Sequence, residues 1–296
     1  MDAAINLKKQ KRRKLLTPYL LILPGFLFVF GVLGYAVLYG TLLSLFDMDL
    51  MKAETGFVFL DNYIYLFQNA AFLNSLVRSL IFVFGSVSLG LVLSLFFALS
   101  LYRATRFGNF LKGLALVPYL VSGIATAVMF RFLFSGDVGL INQVLITLNL
   151  DAVNFLAHPN WALFVAVLTN TWFIVPFATL ILLSGIQSID PELFDSATVD
   201  GASKSKVLTK IILPLISPMM GISLVWLSFA SFNMFDVILP LTGGGPNRAT
   251  EVLAVYMYNV AFDELKYSLG SAVMVIILIF NVATSALYLK IFNTDD

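Results

Sequence analysis

Cysteine is absent from the 296-residue chain, which excludes disulfides, a thiolate nucleophile and cysteine-ligated zinc. There is a single histidine, His158, so neither a histidine metal cluster nor a Ser-His-Asp triad can be assembled. Charge is scarce as well: Asp, Glu, Lys and Arg together make up 12% of the residues, where a soluble domain carries about a quarter. The net charge is only +1, and nothing in its distribution points to nucleic acid. What the chain has instead is apolar surface, with 59% hydrophobic residues and 28 phenylalanines. A soluble core of this size cannot hide so much of it, so a lipid bilayer must cover part.

A membrane-crossing helix needs about 20 mostly apolar residues. Six stretches qualify, near 15–46, 76–101, 113–134, 162–186, 214–239 and 269–292. They predict an all-α membrane protein with a single transmembrane domain over 1–296 and no soluble domain. The first stretch has a basic flank like a signal peptide, but its apolar run is far too long for one and no small-residue cleavage site follows. It reads as a retained signal-anchor helix, and Pro24 with Gly25 near its start suits an interfacial beginning. With the N-terminus in the cytoplasm, inner segments hold 13 of the 18 basic residues, including Lys8, Lys9, Lys11, Arg12, Arg13 and Lys14. The positive-inside rule therefore places both termini in the cytoplasm, in a multi-pass topology.

The inner segment 188–213 is the most informative. Asp190 suits a helix N-cap and Pro191 the first helical position. Glu192 and Asp195 follow in the early turns, where the helix dipole favours acids. Gly201 suits a left-handed C-terminal stop, and Ser203 can cap a second, basic helix through Lys210. The result is helix, glycine turn, helix at the cytoplasmic face. Such a unit could simply lie on the membrane surface, yet Ser196, Ala197, Gly201 and Ala202 are small enough to let another protein pack closely.

The same segment resembles the signature loop of ATP-binding-cassette importer permeases. That loop reads Glu-Ala-Ala, three residues, Gly, then a spacer to Ile-x-Leu-Pro. Here Asp195, Ser196 and Ala197 are followed by Thr198, Val199, Asp200, Gly201 and Ala202, and later by Ile211, Ile212, Leu213 and Pro214. Asp195 replaces Glu and Ser196 replaces Ala, both within size and charge class. A second segment, from Thr242 through Gly243, Gly244, Gly245 and Pro246 to Phe262, is similar to the stretch before the last span in maltose-type sugar permeases. The resemblance implies a type I importer fold in which Pro191, Glu192, Leu193, Asp195, Ser196, Ala197, Asp200, Gly201, Ala202, Leu213 and Pro214 form a coupling element against the ATPase. It also implies a heterodimer with a second, homologous permease, two ATPase subunits and an extracytoplasmic binding protein. No cofactor is then bound by this chain, ATP and Mg belonging to the ATPases, and the location is the bacterial inner membrane.

Polar residues inside the spans are costly unless paired. Trp226, Phe229, Asn233 and Asp236 fall on one stripe of the fifth span at helical spacing. Asn170, Phe173 and Phe177 share a face of the fourth, and Tyr119, Ser122, Gly123 and Thr126 line up on the third. Rings with amides and carboxylates suit a sugar's apolar face and hydroxyls; the same residues could equally be joints between helices. The expected function is import of a sugar or oligosaccharide, the alternative being glycerol-3-phosphate or another small polar solute. A secondary transporter would need coupling charges at mid-membrane, and an enzyme a catalytic set, and neither pattern is present. The triple glycine lacks the Gly-Lys-Ser/Thr ending of a phosphate loop. It predicts either a tight turn, with Thr250 capping a helix over 251–262, or a loop dipping toward the pore.

Overall fold

The structure is a computed structural model that describes residues 17–19, 21–48, 56–103, 108–136 and 138–292. The basic residues before the first span, with Lys52 and Arg106, lie outside the described residues.

Helix α1 (Thr17–Leu43) carries a wide π turn at Val29–Gly34 and is apolar on all sides. A two-residue ladder follows, pairing β1 (Phe46–Asp47) with β2 (Gly56–Phe57) antiparallel. After the short α2 (Asp61–Gln68), Asn69 caps α3 (Ala70–Arg103): its Oδ1 accepts from the Ala71 amide at 2.8 Å. Helix α3 buries a face of small residues, Ser75, Ser79, Ser86, Gly90, Ser94 and Ala98, which lets neighbours approach closely. Gly90 sits against the side chain of Leu227.

The stretch expected over 113–134 is not one helix. It is divided into α4 (Gly108–Ala115), α5 (Val117–Leu120) and α6 (Gly123–Leu133). Val121 and Ser122 are extended at the break, with ψ of 141° and 142°. Pro118, which lacks an amide hydrogen and clashes with a preceding turn, sits at the start of α5. After α7 (Leu140–Thr147), α8 (Pro159–Gln187) is the most buried long helix, packed against α3 along its length and holding Pro176 inside it.

The fifth stretch is also broken. Helices α9 (Pro191–Val199) and α10 (Lys204–Leu215) form the loop expected on the inner side. Then α10 turns by 72° into α11 (Ser217–Phe232) at Ile216, between Pro214 and Pro218. Helix α11 stops at Phe232, and α12 (Ile238–Thr242) and α13 (Leu253–Tyr258) lead to the last long helix, α14 (Tyr267–Phe292). Among the described residues four helices are long and apolar enough to cross a membrane, α1, α3, α8 and α14, and five crossings result if the α10–α11 pair counts as one.

Two apolar clusters hold the bundle. The larger joins α3, α6, α8, α11, α13 and α14. The smaller, Ala98, Leu182, Leu183, Ile186, Ile189, Ile212 and Ile216, fastens the α9–α10 loop to the ends of α3 and α8.

Candidate functional site

The inner loop folds as its residues dictate. Asp190 Oδ1 accepts from the Glu192 amide at 3.0 Å, and Pro191 opens α9. At the other end Gly201 has φ of +66°. The Ala202 amide bonds the Ala197 carbonyl at 2.9 Å and the Gly201 amide bonds that of Thr198 at 3.1 Å, the paired closure of a Schellman cap. Ser203 accepts from the Lys206 amide at 3.4 Å and starts α10.

Burial sorts the helix into two faces. Ala197 is buried, and Phe194 is half-buried with its ring 5.9 Å from that of Tyr102. Glu192, Leu193, Asp195, Ser196, Asp200 and Gly201 are exposed, as is Pro214; Ala202 and Leu213 are intermediate. Glu192, Asp195, Ser196 and Val199 recur at i, i+3, i+4 and i+7 and so form one outward ridge. Val199 is 88% exposed and adds an apolar side chain to that ridge. It was not singled out from the sequence, although its spacing from Glu192 carries the signal.

The second constellation is aromatic. Trp226 of α11 and Phe177 of α8 have ring centroids 4.4 Å apart. Tyr119 of α5 joins them at 5.6 Å from Phe177 and 6.0 Å from both Trp226 and Phe173. Three separate helices thus deliver four rings to one place. The Trp226 Nε1 hydrogen points to the Ile174 carbonyl at 3.5 Å, two residues before Pro176.

The stripe expected along the fifth span is only partly realised. Because α11 ends at Phe232, Asp236 lies beyond the helix and not on its surface. Phe229 and Asn233 are exposed, Asn233 donating to the Phe229 carbonyl at 2.8 Å. Asp236 is brought back by the chain and packs its carboxylate over Gly123, at the start of α6. Asn170 is fully buried; its Nδ2 donates to Ser231 Oγ at 2.9 Å and its Oδ1 has no partner. It joins α8 to α11 and does not share a surface with the rings. An apolar crevice of about 290 Å³ lies between Leu93, Phe97, Pro118, Trp172 and Pro176. Its two threonine hydroxyls, Thr171 and Thr179, donate to helix carbonyls, and its walls are otherwise mostly apolar.

Thr250 does not cap a helix over 251–262. Helix α13 begins at Leu253, and the Thr250 hydroxyl instead bonds the Gly245 carbonyl and Thr242 Oγ1, each at 2.7 Å. The triple glycine is a tight turn with φ of +61° at Gly243 and +84° at Gly244.

Residues 90–292 match the family described as binding-protein-dependent transport system inner membrane component. The chain belongs to that family. Among similar members of known name, the trehalose/maltose transport system permease protein MalF of Thermococcus litoralis is 32% identical over 96% of this chain and 96% of its own length. The sn-glycerol-3-phosphate transport system permease protein UgpA of Yersinia pestis is 33% identical over 92% of each chain. A chain in the crystal structure of a bacterial alginate ABC transporter, in complex with an alginate pentasaccharide-bound periplasmic protein, superimposes with a TM-score of 0.79 at 24% identity, covering 97% of this chain and 96% of that one. The fold of this permease family member is therefore the importer-permease fold expected from the inner loop, and the protein is an inner-membrane transport component.

Proposed function

We propose that the chain is one of two homologous permease subunits that carry a sugar or oligosaccharide into the cytoplasm, driven by ATP hydrolysis in two partner ATPases, which would hold the ATP and its Mg. It performs no catalysis itself. The observation that carries the substrate class is the four-ring wall of Tyr119, Phe173, Phe177 and Trp226, two helical turns from exposed Asn233 on α11, with Asp236 beyond the helix end. Such a wall offers stacking to an apolar sugar face and acceptors to its hydroxyls. No Lys or Arg belongs to the ring cluster, so a phosphorylated solute such as glycerol-3-phosphate finds no counter-charge there.

The ridge of Glu192, Asp195, Ser196 and Val199, framed by its two caps and fastened through Phe194 and Ile212, is the part that docks on the ATPase. It supports a cytoplasmic location for this loop and, with the basic bias, for both termini. A partner permease is supported by α1, which buries no residue along its spanning length and touches the body only near its end, where Gly40 meets Met274. An extracytoplasmic binding protein would deliver the solute on the opposite face.

The test is uptake by the assembled complex in vesicles with its cognate binding protein, comparing labelled maltose with labelled glycerol-3-phosphate. Uptake of maltose, or its competition by other neutral sugars, is expected. Uptake of the phosphate ester alone would overturn the sugar reading.

A further inference from the structure

A buried carboxylate closes the segment between α11 and α14, and the transport reading does not use it. Glu251 is 4% exposed. Its Oε2 accepts from Arg248 Nε at 2.5 Å and from Ser75 Oγ of α3 at 3.2 Å. Its Oε1 accepts from Arg248 Nη2 at 3.2 Å and from Asn259 Nδ2 at 3.1 Å. Donors from three separate segments therefore converge on one side chain. Two further bonds reinforce the same joint: Asn74 donates to the Arg248 carbonyl at 3.2 Å, and the Leu253 amide donates to Ser79 Oγ at 2.6 Å.

The turn that this joint holds is conformationally demanding. Asn247 and Arg248 have φ of +49° and +58°, following the two left-handed glycines. Non-glycine residues stay in that region only when their surroundings over-determine them. A Cβ on Gly244 would lie 3.3 Å from Glu251 Cβ, so the turn rests directly on the carboxylate's stem. Only the carboxylate is buried, the Arg248 side chain being half exposed, and a buried carboxylate is tolerated where its donors are held in one arrangement. No neutral side chain of this size accepts four donors: a glutamine would turn two hydrogens toward Arg248 or Asn259.

The consequence lies on the other side of the turn. Helix α12 runs from it back to α6, where Arg131 Nη1 donates to the Pro240 carbonyl at 3.3 Å. The residues ahead of α12 carry Asp236 onto Gly123. We propose that Glu251 is a positioning residue: through Arg248, the glycine turn and α12 it holds the Asn233–Asp236 edge in register with α3. The importance of that edge rests on the transport reading; its position does not.

The chain has no cysteine, so single reporters can be introduced cleanly. Asn233→Cys and, separately, Ser203→Cys are placed in the full complex, and their reaction rates with a small charged thiol reagent are followed in wild-type and Glu251→Gln backgrounds. Asn259→Ala, which deletes one donor and keeps the ion pair, is the second variant. Asn142→Ala is the control for general destabilisation, because Asn142 is a comparable buried joint, bonding Gly136 and Val153 between α6 and α8. The expected result is a change of about fivefold or more in labelling at Asn233→Cys with Glu251→Gln, a smaller change in the same direction with Asn259→Ala, and none at Ser203→Cys. Asn142→Ala should lower the melting temperature without moving either reporter. Wild-type labelling at Asn233→Cys in both variants, or an equal shift with Asn142→Ala, would overturn the proposal. Should Asn233→Ala transport normally, the transport reading fails at that residue, but the labelling result still decides what Glu251 does.

Discussion

The carboxylate of Asp236 lies so close to the backbone of Gly123 that a Cβ there would fall 2.0 Å from Oδ2. With any larger first residue in α6 the Asp236 carboxylate would have to move aside. Gly123→Ala should displace Asp236, costing about 1–3 kcal/mol of local strain, and should raise the substrate concentration for half-maximal uptake. The double variant Gly123→Ala, Asp236→Ala removes the clash and should regain the melting temperature of Asp236→Ala alone. Normal uptake by Gly123→Ala would show that the close contact has no bearing on transport.

Trp226 touches Phe177 and Tyr119 at once, so Trp226→Ala empties the middle of the ring wall. Loss of such a stack removes about 3–5 kcal/mol of packing. Uptake should fall at least tenfold while co-purification with the ATPase persists, and Asn233→Ala should impair uptake with little effect on stability, because Asn233 is exposed. Wild-type uptake by both variants would reduce the wall to packing.

Gly201 has φ of +66° and open space around its missing side chain, so a substitution there acts through the backbone alone. Gly201→Val should strain the turn by about 1–3 kcal/mol, leave membrane insertion intact and weaken retention of the ATPase. Asp195→Lys sets a positive charge early in α9 against the helix dipole and on the outward ridge. Both variants should show reduced ATP hydrolysis in the presence of loaded binding protein. Normal co-purification and normal stimulated hydrolysis in both would remove the coupling assignment.

Topology can be read from the same cysteine-free background. Ser203→Cys should resist an impermeant thiol reagent in intact cells and react in inverted vesicles, whereas a cysteine at exposed Asp263, Asp263→Cys, should do the opposite. Reaction of Ser203→Cys from outside would invert the proposed orientation.

Burial, aided by the carboxylate of Glu264, pushes the Tyr256 hydroxyl up from 10.0 to about 12. Because the folded value is raised, the contribution is intact below the unfolded value and is lost as pH rises through the folded one. Melting temperature should therefore fall between pH 10 and about 12, and the fall should be shallower in Tyr256→Phe. An identical alkaline profile in the two proteins would show that this hydroxyl titrates alike in the folded and unfolded chain, so that burial does not raise it. The Arg248 guanidinium, raised mainly by its hydrogen bond to Glu251, stays charged throughout this range.

Local chemistry was readable wherever a few consecutive residues decide it. Asp190, Pro191, Gly201 and Ser203 each occupy the cap or turn position their side chains favour, because capping depends on neighbours within four residues. The long apolar runs announced α1, α3, α8 and α14 for the same reason. Thr250 misled: a hydroxyl before an apolar stretch looks like a cap, but the carbonyl it bonds belongs to a turn whose shape depends on Glu251, five residues beyond Pro246.

The sequence by itself determined that the chain is a multi-pass membrane protein and that the loop after the fourth apolar stretch is a capped helix pair. These follow from composition and from spacing along the chain. Only the tertiary structure decided that the third and fifth stretches break, since a proline in an apolar run can kink a helix or divide it, and the neighbours choose. It also decided that Asn170 is a joint to Ser231 and not part of a surface, that Asp236 reaches Gly123 from outside its helix, and that Ser75 and Glu251 meet across 176 residues. A polar side chain carries the same letters whether it faces a neighbouring helix or an open path, and only the packing of several spans around it fixes which.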